Sequence, residues 1–101
     1  MEHVVIATWT ARAETRERIA EILTEMTPGN RAEPKMLEFR AHVSTSDPNT
    51  FVLYERYADE TGYEDHRSTE AFQKLVLGEA IGLLADRKIE TVTPLLDESD
   101  R

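Results

Sequence analysis

In the stretch FVLYERYADETGYEDHRSTEAF, Phe51 to Phe72, the chain changes its periodicity from strand to helix. Phe51, Leu53, Glu55 and Tyr57 alternate with Val52, Tyr54 and Arg56, the period-two pattern of a strand. Asp59 can then cap a short helix reaching His66, with Thr61 and Glu64 as an alternative capping box. Ser68 or Thr69 starts a further helix with apolar positions Phe72, Leu75, Val76 and Ala80; Gly78 and Gly82 loosen it.

Working outward, Ser46-Asp47-Pro48-Asn49 is a turn cluster that joins this strand, Thr50 to Ala58, to one over Met36 to Thr45. A hairpin closed there sets Val43 opposite Leu53, Ala41 opposite Glu55 and Phe39 opposite Tyr57. Leu37, Phe39, Ala41, Val43, Phe51, Leu53, Glu55 and Tyr57 then share one face, with Glu55 its single carboxylate. Glu38, Arg40, His42, Tyr54 and Arg56 take the other face. Upstream, residues 14–27 predict an amphipathic helix with Ile19, Ile22, Leu23 and Met26 as its stripe. Thr27-Pro28-Gly29-Asn30 is expected to stop it. His3 to Thr10, apolar on both faces, predicts a central strand, and Asp86 to Leu95 a final one with Pro94 at its exit.

The order strand–helix–strand–strand–helix–strand is that of a ferredoxin-like α+β unit. Right-handed crossovers put both helices on one face of a four-stranded antiparallel sheet. Val4, Ile6, Val52 and Tyr54 would lie on the open face, so a homodimer that closes two sheets into an α/β barrel is expected. Residues 1–96 read as a single domain and 97–101 as an acidic tail, with Leu95 and Leu96 placed to pack on a partner subunit.

The chain has 101 residues, 40% apolar and 32% charged, with 12 Lys+Arg against 20 Asp+Glu and a net charge of -8. This suits one folded domain and argues against a nucleic-acid partner, which requires a concentrated basic surface. Arg12, Arg16 and Arg18 are interleaved with Glu14, Glu17 and Glu21 as on a solvated helix face. With no cysteine, thiolate, disulfide and iron–sulfur chemistry are excluded. His3, His42 and His66 fall on separate elements without metal-ligand spacing, so no metal is expected. There is no G-x-G-x-x-G, P-loop or G-x-S-x-G, so no nucleotide cofactor is expected either. Met1-Glu2-His3 lacks the features of a signal peptide, and no apolar run approaches membrane-spanning length. A cytoplasmic location, away from membranes, is the expectation.

His66 reads either as a histidine filling the joint between two helices or as a general base beside the strand face that carries Glu55 and Tyr57. Glu55, costly to bury alone, reads as a structural ion pair or as the group that orients His66. Trp9, Phe39, Tyr57 and Phe72 read as core or as the walls of a pocket for a flat ring.

The pattern Phe51-x-Leu53-x-Glu55-x-Tyr57-x-Asp59, then His66, Ser68 or Thr69, and Phe72 resembles the antibiotic biosynthesis monooxygenase family. The resemblance covers roughly residues 3 to 95 and includes Trp9, Glu33-Pro34, Leu37 and Ser46. It implies a dimeric α/β barrel with a pocket in each subunit between sheet and helices. It implies a cofactor-independent monooxygenase that turns dioxygen on a small aromatic, phenolic or quinol-type compound. His66 would be the base, Glu55 its orienter, and Trp9, Phe39, Tyr57, Phe72 and Val76 the pocket. Lys35 departs from the family pattern, where a glycine usually follows Glu-Pro. A related branch degrades haem with an Asn and a His at positions held here by Ala7 and Val76, so haem degradation is not expected. The alternatives on the same scaffold are an isomerase or lyase acting on a small carbonyl compound, and a non-catalytic small-molecule-binding dimer.

Overall fold

The computed structural model describes residues 1–96. The element order is β1 (His3–Ala11), a 3-10 turn (Ala13–Thr15), α1 (Arg16–Arg31), β2 (Met36–Val43), β3 (Thr50–Tyr57), α2 (Glu60–Arg67), α3 (residues 70–83) and β4 (Leu84–Val92). The strands form one antiparallel sheet in the order β2-β3-β1-β4, a ferredoxin-like α+β fold. β1 is central and hydrogen-bonded on both edges, which accounts for its apolar residues on both faces. The acidic tail expected at 97–101 lies outside the described residues.

The stripe Ile19, Ile22, Leu23 and Met26 is buried on the sheet as its spacing requires. α1 does not stop at Thr27-Pro28-Gly29-Asn30 but runs through Pro28 to Arg31. The buried stripe continues to Asn30, and near a helix end Pro28 removes only one backbone bond. The Thr24 and Thr27 hydroxyls donate back to the Ala20 and Leu23 carbonyls at 2.8 and 2.7 Å, and Ala32 N closes the end on the Pro28 carbonyl. Packing here overrides a local stop signal.

The hairpin register differs by two residues from the expected one: Val43 pairs with Phe51, Ala41 with Leu53 and Phe39 with Glu55. Asp47 causes this by accepting from Asn49 N and the Thr50 hydroxyl at 3.0 and 2.8 Å, which starts β3 at once. An even slip keeps every side chain on its face, so the expected face of β3 stands. At the other end an irregularity between Met36 and Glu38 turns Met36 inward against Tyr57 and leaves Leu37 50% exposed. Leu37 therefore leaves the core face that the alternation assigned to it, while Val43 keeps its face opposite Phe51 but is 48% exposed. β4 begins two residues early at Leu84 and ends at Val92, before Leu95.

Thr69 starts α3: its hydroxyl accepts from Phe72 N at 3.1 Å and donates to the His66 carbonyl at 2.8 Å. Phe72–Ala80 then winds as a π-helix, an uncommon geometry that widens the turn and is frequent at functional sites. Two buried clusters result. The larger packs Trp9, Ile19, Ile22, Leu23, Phe51 and Leu53 against Phe72 and Val76; the smaller joins Val5, Met36, Phe39 and Tyr57.

Candidate functional site

Glu55 sits mid-strand in β3, with Val5 on β1 and Phe39 on β2 as its lateral neighbours. Both are apolar and buried, so Glu55, only 5% exposed, loses its water and its pKa rises. The Tyr57 hydroxyl, two residues along the same face, donates to Glu55 Oε1 at 2.5 Å. Burial first, and then the Glu55 charge, push the Tyr57 phenol well above its ordinary range, which keeps it protonated and a donor.

α2 lies on this pair. Asp59 caps it by accepting from Thr61 N at 2.9 Å. Gly62 lets the helix approach closely, because a Cβ there would stand 2.8 Å from Lys35 Cβ and 3.1 Å from Tyr57 Cβ. Lys35, the departure from the family pattern, is absorbed locally: its carbonyl accepts from Ala58 N at 2.9 Å and its ammonium reaches the Thr61 hydroxyl and Asp59. One turn on, α2 delivers His66, 3% exposed, into the joint with α3.

The carboxylate that meets His66 is Glu33, not Glu55. Nδ1 lies 3.0 and 2.9 Å from the two Glu33 oxygens. Glu33 is fixed in the turn after α1 by bonds from its N–H to the Asn30 carbonyl and from Met36 N to its own carbonyl. Opposite a carboxylate, which accepts, Nδ1–H is the donor, and in the neutral ring Nε2 is then the basic nitrogen. The ring is held edge-on to Phe72, centroids 5.2 Å apart at 70°, and lies 6.0 Å from the Tyr57 ring.

Of the residues that the sequence singled out, Glu55, Tyr57, His66 and Phe72 come together here. Trp9 and Val76 lie in the larger apolar cluster with Phe72, while Phe39 packs with Tyr57 in the smaller one. Glu33, Tyr63 and Arg87 were not singled out as site residues. A cavity of ≈ 490 Å³ opens between α2, α3 and β4, lined by Tyr63, Arg67, Phe72, Leu77, Arg87 and Ile89. Tyr63 is held under the Arg67 guanidinium at 4.4 Å and beside Tyr57 at 5.6 Å; burial and the Glu55 charge raise its pKa. A smaller cavity of ≈ 260 Å³ reaches Glu33 and Thr69 from the α1 side. The Glu33–His66 pair therefore stands between two cavities, with Phe72 lining one and Glu33 the other. A third, ≈ 380 Å³, lies between α1 and the β2–β3 hairpin and shares no residue with this set. Among the described residues no cluster of three or more His, Asp or Glu could hold a metal ion, and no helix is long and apolar enough to cross a membrane.

This arrangement offers an imidazole oriented by a carboxylate, a buried carboxyl–phenol pair and a groove of mixed polar and apolar lining that includes two aromatic rings, Tyr63 and Phe72. The family model for antibiotic biosynthesis monooxygenases matches residues 3–76. No curated protein matches the chain. The fold is similar to Rv0793 of Mycobacterium tuberculosis, at 23% identity, TM-score 0.90, over 98% of this chain and 100% of that one. It is similar to PA3566 of Pseudomonas aeruginosa, at 28% identity, TM-score 0.87, over 94% and 95%. A structure named as an antibiotic biosynthesis monooxygenase aligns at 23% identity, TM-score 0.87, over 93% and 99%.

Proposed function

Because the chain belongs to the antibiotic biosynthesis monooxygenase family, we propose that it oxygenates a small phenolic or quinol-type compound with dioxygen and no bound cofactor. The observation that carries this reading is the Glu33–His66 pair, its imidazole buried and set against Phe72, which lines the 490 Å³ groove. Glu33 holds the Nδ1 proton, so His66 Nε2 takes the phenol proton. The phenolate passes one electron to dioxygen, and recombination of the two radicals forms a carbon–oxygen bond. The peroxide anion takes the proton back from His66, and the hydroperoxide then loses water, with the hydrogen of the ring carbon that bears it, to leave a quinone. One oxygen atom enters the product and the other leaves as water, so a C–H next to the conjugated system supplies the remaining electrons and no outside reductant is required. The protein's part is the base, the orientation and the exclusion of water.

The same reading makes Tyr57 and Glu55 a neutral-side support of the pocket: their short hydrogen bond fixes the floor on which α2 rests. It also includes a homodimer in the cytoplasm. Ile6, Val52 and Tyr54 are only partly buried on the sheet face without helices, where Val4 is already covered, and Leu95 and Leu96 are 97% and 62% exposed, surface that a second subunit would cover. One observation favours a second reading, a binder without chemistry: His66 is buried beneath Phe72 rather than open to the groove. Oxygen uptake by the purified, metal-free protein against quinols, hydroxynaphthalenes and polyketide-like phenols separates the two. Uptake that disappears in His66→Ala supports the proposal. Saturable binding of these compounds with no uptake favours the binder, and uptake unchanged in His66→Ala removes His66 as the base.

A further inference from the structure

Two buried N–H donors among the described residues have no acceptor: Trp9 Nε1 and Arg87 Nε. Leaving a donor buried and unpaired costs about 1–3 kcal/mol, and more when it is charged. Such groups are rare in folded proteins, and each calls for a reason. These two are also neighbours. Trp9 on β1 and Arg87 on β4 are directly paired across the strands, so both side chains leave the sheet on the helix-facing side. Arg87 lines the 490 Å³ groove together with Phe72 and Tyr63.

Arg87 differs from the other cations in having a buried guanidinium nitrogen, Nε, without an acceptor. Arg12, Arg16, Arg18, Lys35 and Arg56 all meet carboxylates, and Arg31 donates to the Phe39 carbonyl. Among the described residues Arg87 makes no ion pair and no hydrogen bond. Glu55, near enough for the Arg87 charge to favour its ionised form, is already engaged by Tyr57. A planar cationic donor is thus held half-buried at the edge of a groove that also presents the rings of Tyr63 and Phe72, the apolar Leu77 and Ile89, and the polar Glu64, Arg67, Ser68 and Gln73.

We propose that Arg87, with the Trp9 indole N–H behind it, is an oxyanion site that receives the ionised ring oxygen of a planar phenolate whose ring lies against Phe72 and Tyr63. This rests on reading the groove as the substrate site, and it adds a specificity: the ligand is taken as its anion. Arg87 stays charged at any physiological pH, so the site stabilises the phenolate as soon as the proton has left. It discriminates against a neutral isostere that brings no charge to the guanidinium.

The test uses the full chain with 4-nitrophenol, whose ionised form absorbs in the visible, and 4-nitroanisole as its neutral counterpart. A charge-assisted hydrogen bond is worth about 1.5–3 kcal/mol, so nitrophenolate should bind about tenfold tighter or more, and the bound phenol should ionise at lower pH than the free one. Arg87→Gln should abolish that preference, Arg87→Lys should keep part of it, and Trp9→Phe should reduce it. Equal affinity of the unaltered protein for both probes would overturn the proposal whatever the variants do. So would an anion preference that survives in a folded Arg87→Gln protein. The outcome is separable from the proposed activity. Phenolate binding through Arg87 without oxygen uptake leaves the site standing and removes the monooxygenase; oxygen uptake indifferent to Arg87→Gln does the reverse.

Discussion

Beneath α1 the sheet is packed by Ile19, Ile22, Leu23, Met26 and Phe51, apolar until the stripe reaches Asn30; beneath α2 the same sheet carries Glu55 and Tyr57, with His66 of α2 against them, at equal depth. Burial has opposite consequences in the two places. In the first it removes hydrocarbon from water and stabilises the fold by roughly 25 cal/mol for each square ångström. In the second it strips water from a carboxyl and an imidazole, which costs stability unless each finds a partner. Glu55 finds Tyr57, and His66 finds Glu33. A domain selected only for stability would fill the second region as it fills the first. The difference is what the proposed chemistry at His66 would require.

Perturbing each region in turn can break that contrast. Ile22→Ala, at a fully buried position, should lower stability by about 2–5 kcal/mol in a urea titration. It should leave turnover per folded molecule unchanged, because α1 carries no reacting group. Gly62→Ala acts across the boundary. The added methyl has no room against Lys35 and Tyr57, so overpacking should cost about 1–3 kcal/mol, and turnover should fall as well because α2 carries His66. An alanine that left both unchanged would show that α2 does not rest tightly on Tyr57.

A subtler test uses pH. Burial raises the Glu55 pKa above its ordinary value of 4.5. Between those two values the folded protein holds a proton that the unfolded chain has released, so stability falls as pH rises through this window. Glu55→Gln still accepts from Tyr57 but cannot ionise. It should raise Tm at neutral pH and make little difference near about pH 4, where the carboxyl is protonated in both states. An equal effect at both pH values would show that desolvation of the charge is not what distinguishes the α2 region.

Much of this was legible in the sequence. The alternation of β3, the α1 stripe, the Asp59 cap and the order of elements all follow from residue period and capping chemistry, and these fix the ferredoxin-like arrangement. Glu55 also announces itself, as one carboxylate in an apolar face. Its partner does not. Glu33 and His66 are far apart in the chain, and pairing them needs the end of α1 to pass beside the end of α2. That end was hidden by Pro28 and Gly29, which look like a stop until the buried stripe is followed to Asn30. Arg87 was illegible for a different reason: in a strand whose exposed residues are mostly charged or polar, nothing distinguishes the one arginine turned toward the helices. The π-turns of α3 left only Gly78 and Gly82 as a sign. The two-residue slip of the hairpin came from Asp47, whose carboxylate closes the turn sooner than the cluster around it suggested.

The most direct test of the central claim, that the Glu33–His66 pair is the working base, is the rate of oxygen uptake by Glu33→Gln with any compound that the unaltered protein turns over. Gln can accept from Nδ1–H or donate to bare Nδ1, so it no longer dictates the tautomer, while its size and the fold are kept. The account predicts that kcat falls by about a hundredfold with KM little changed, within the range that a positioned base supplies. An unchanged kcat in a Glu33→Gln protein of unaltered Tm would contradict it.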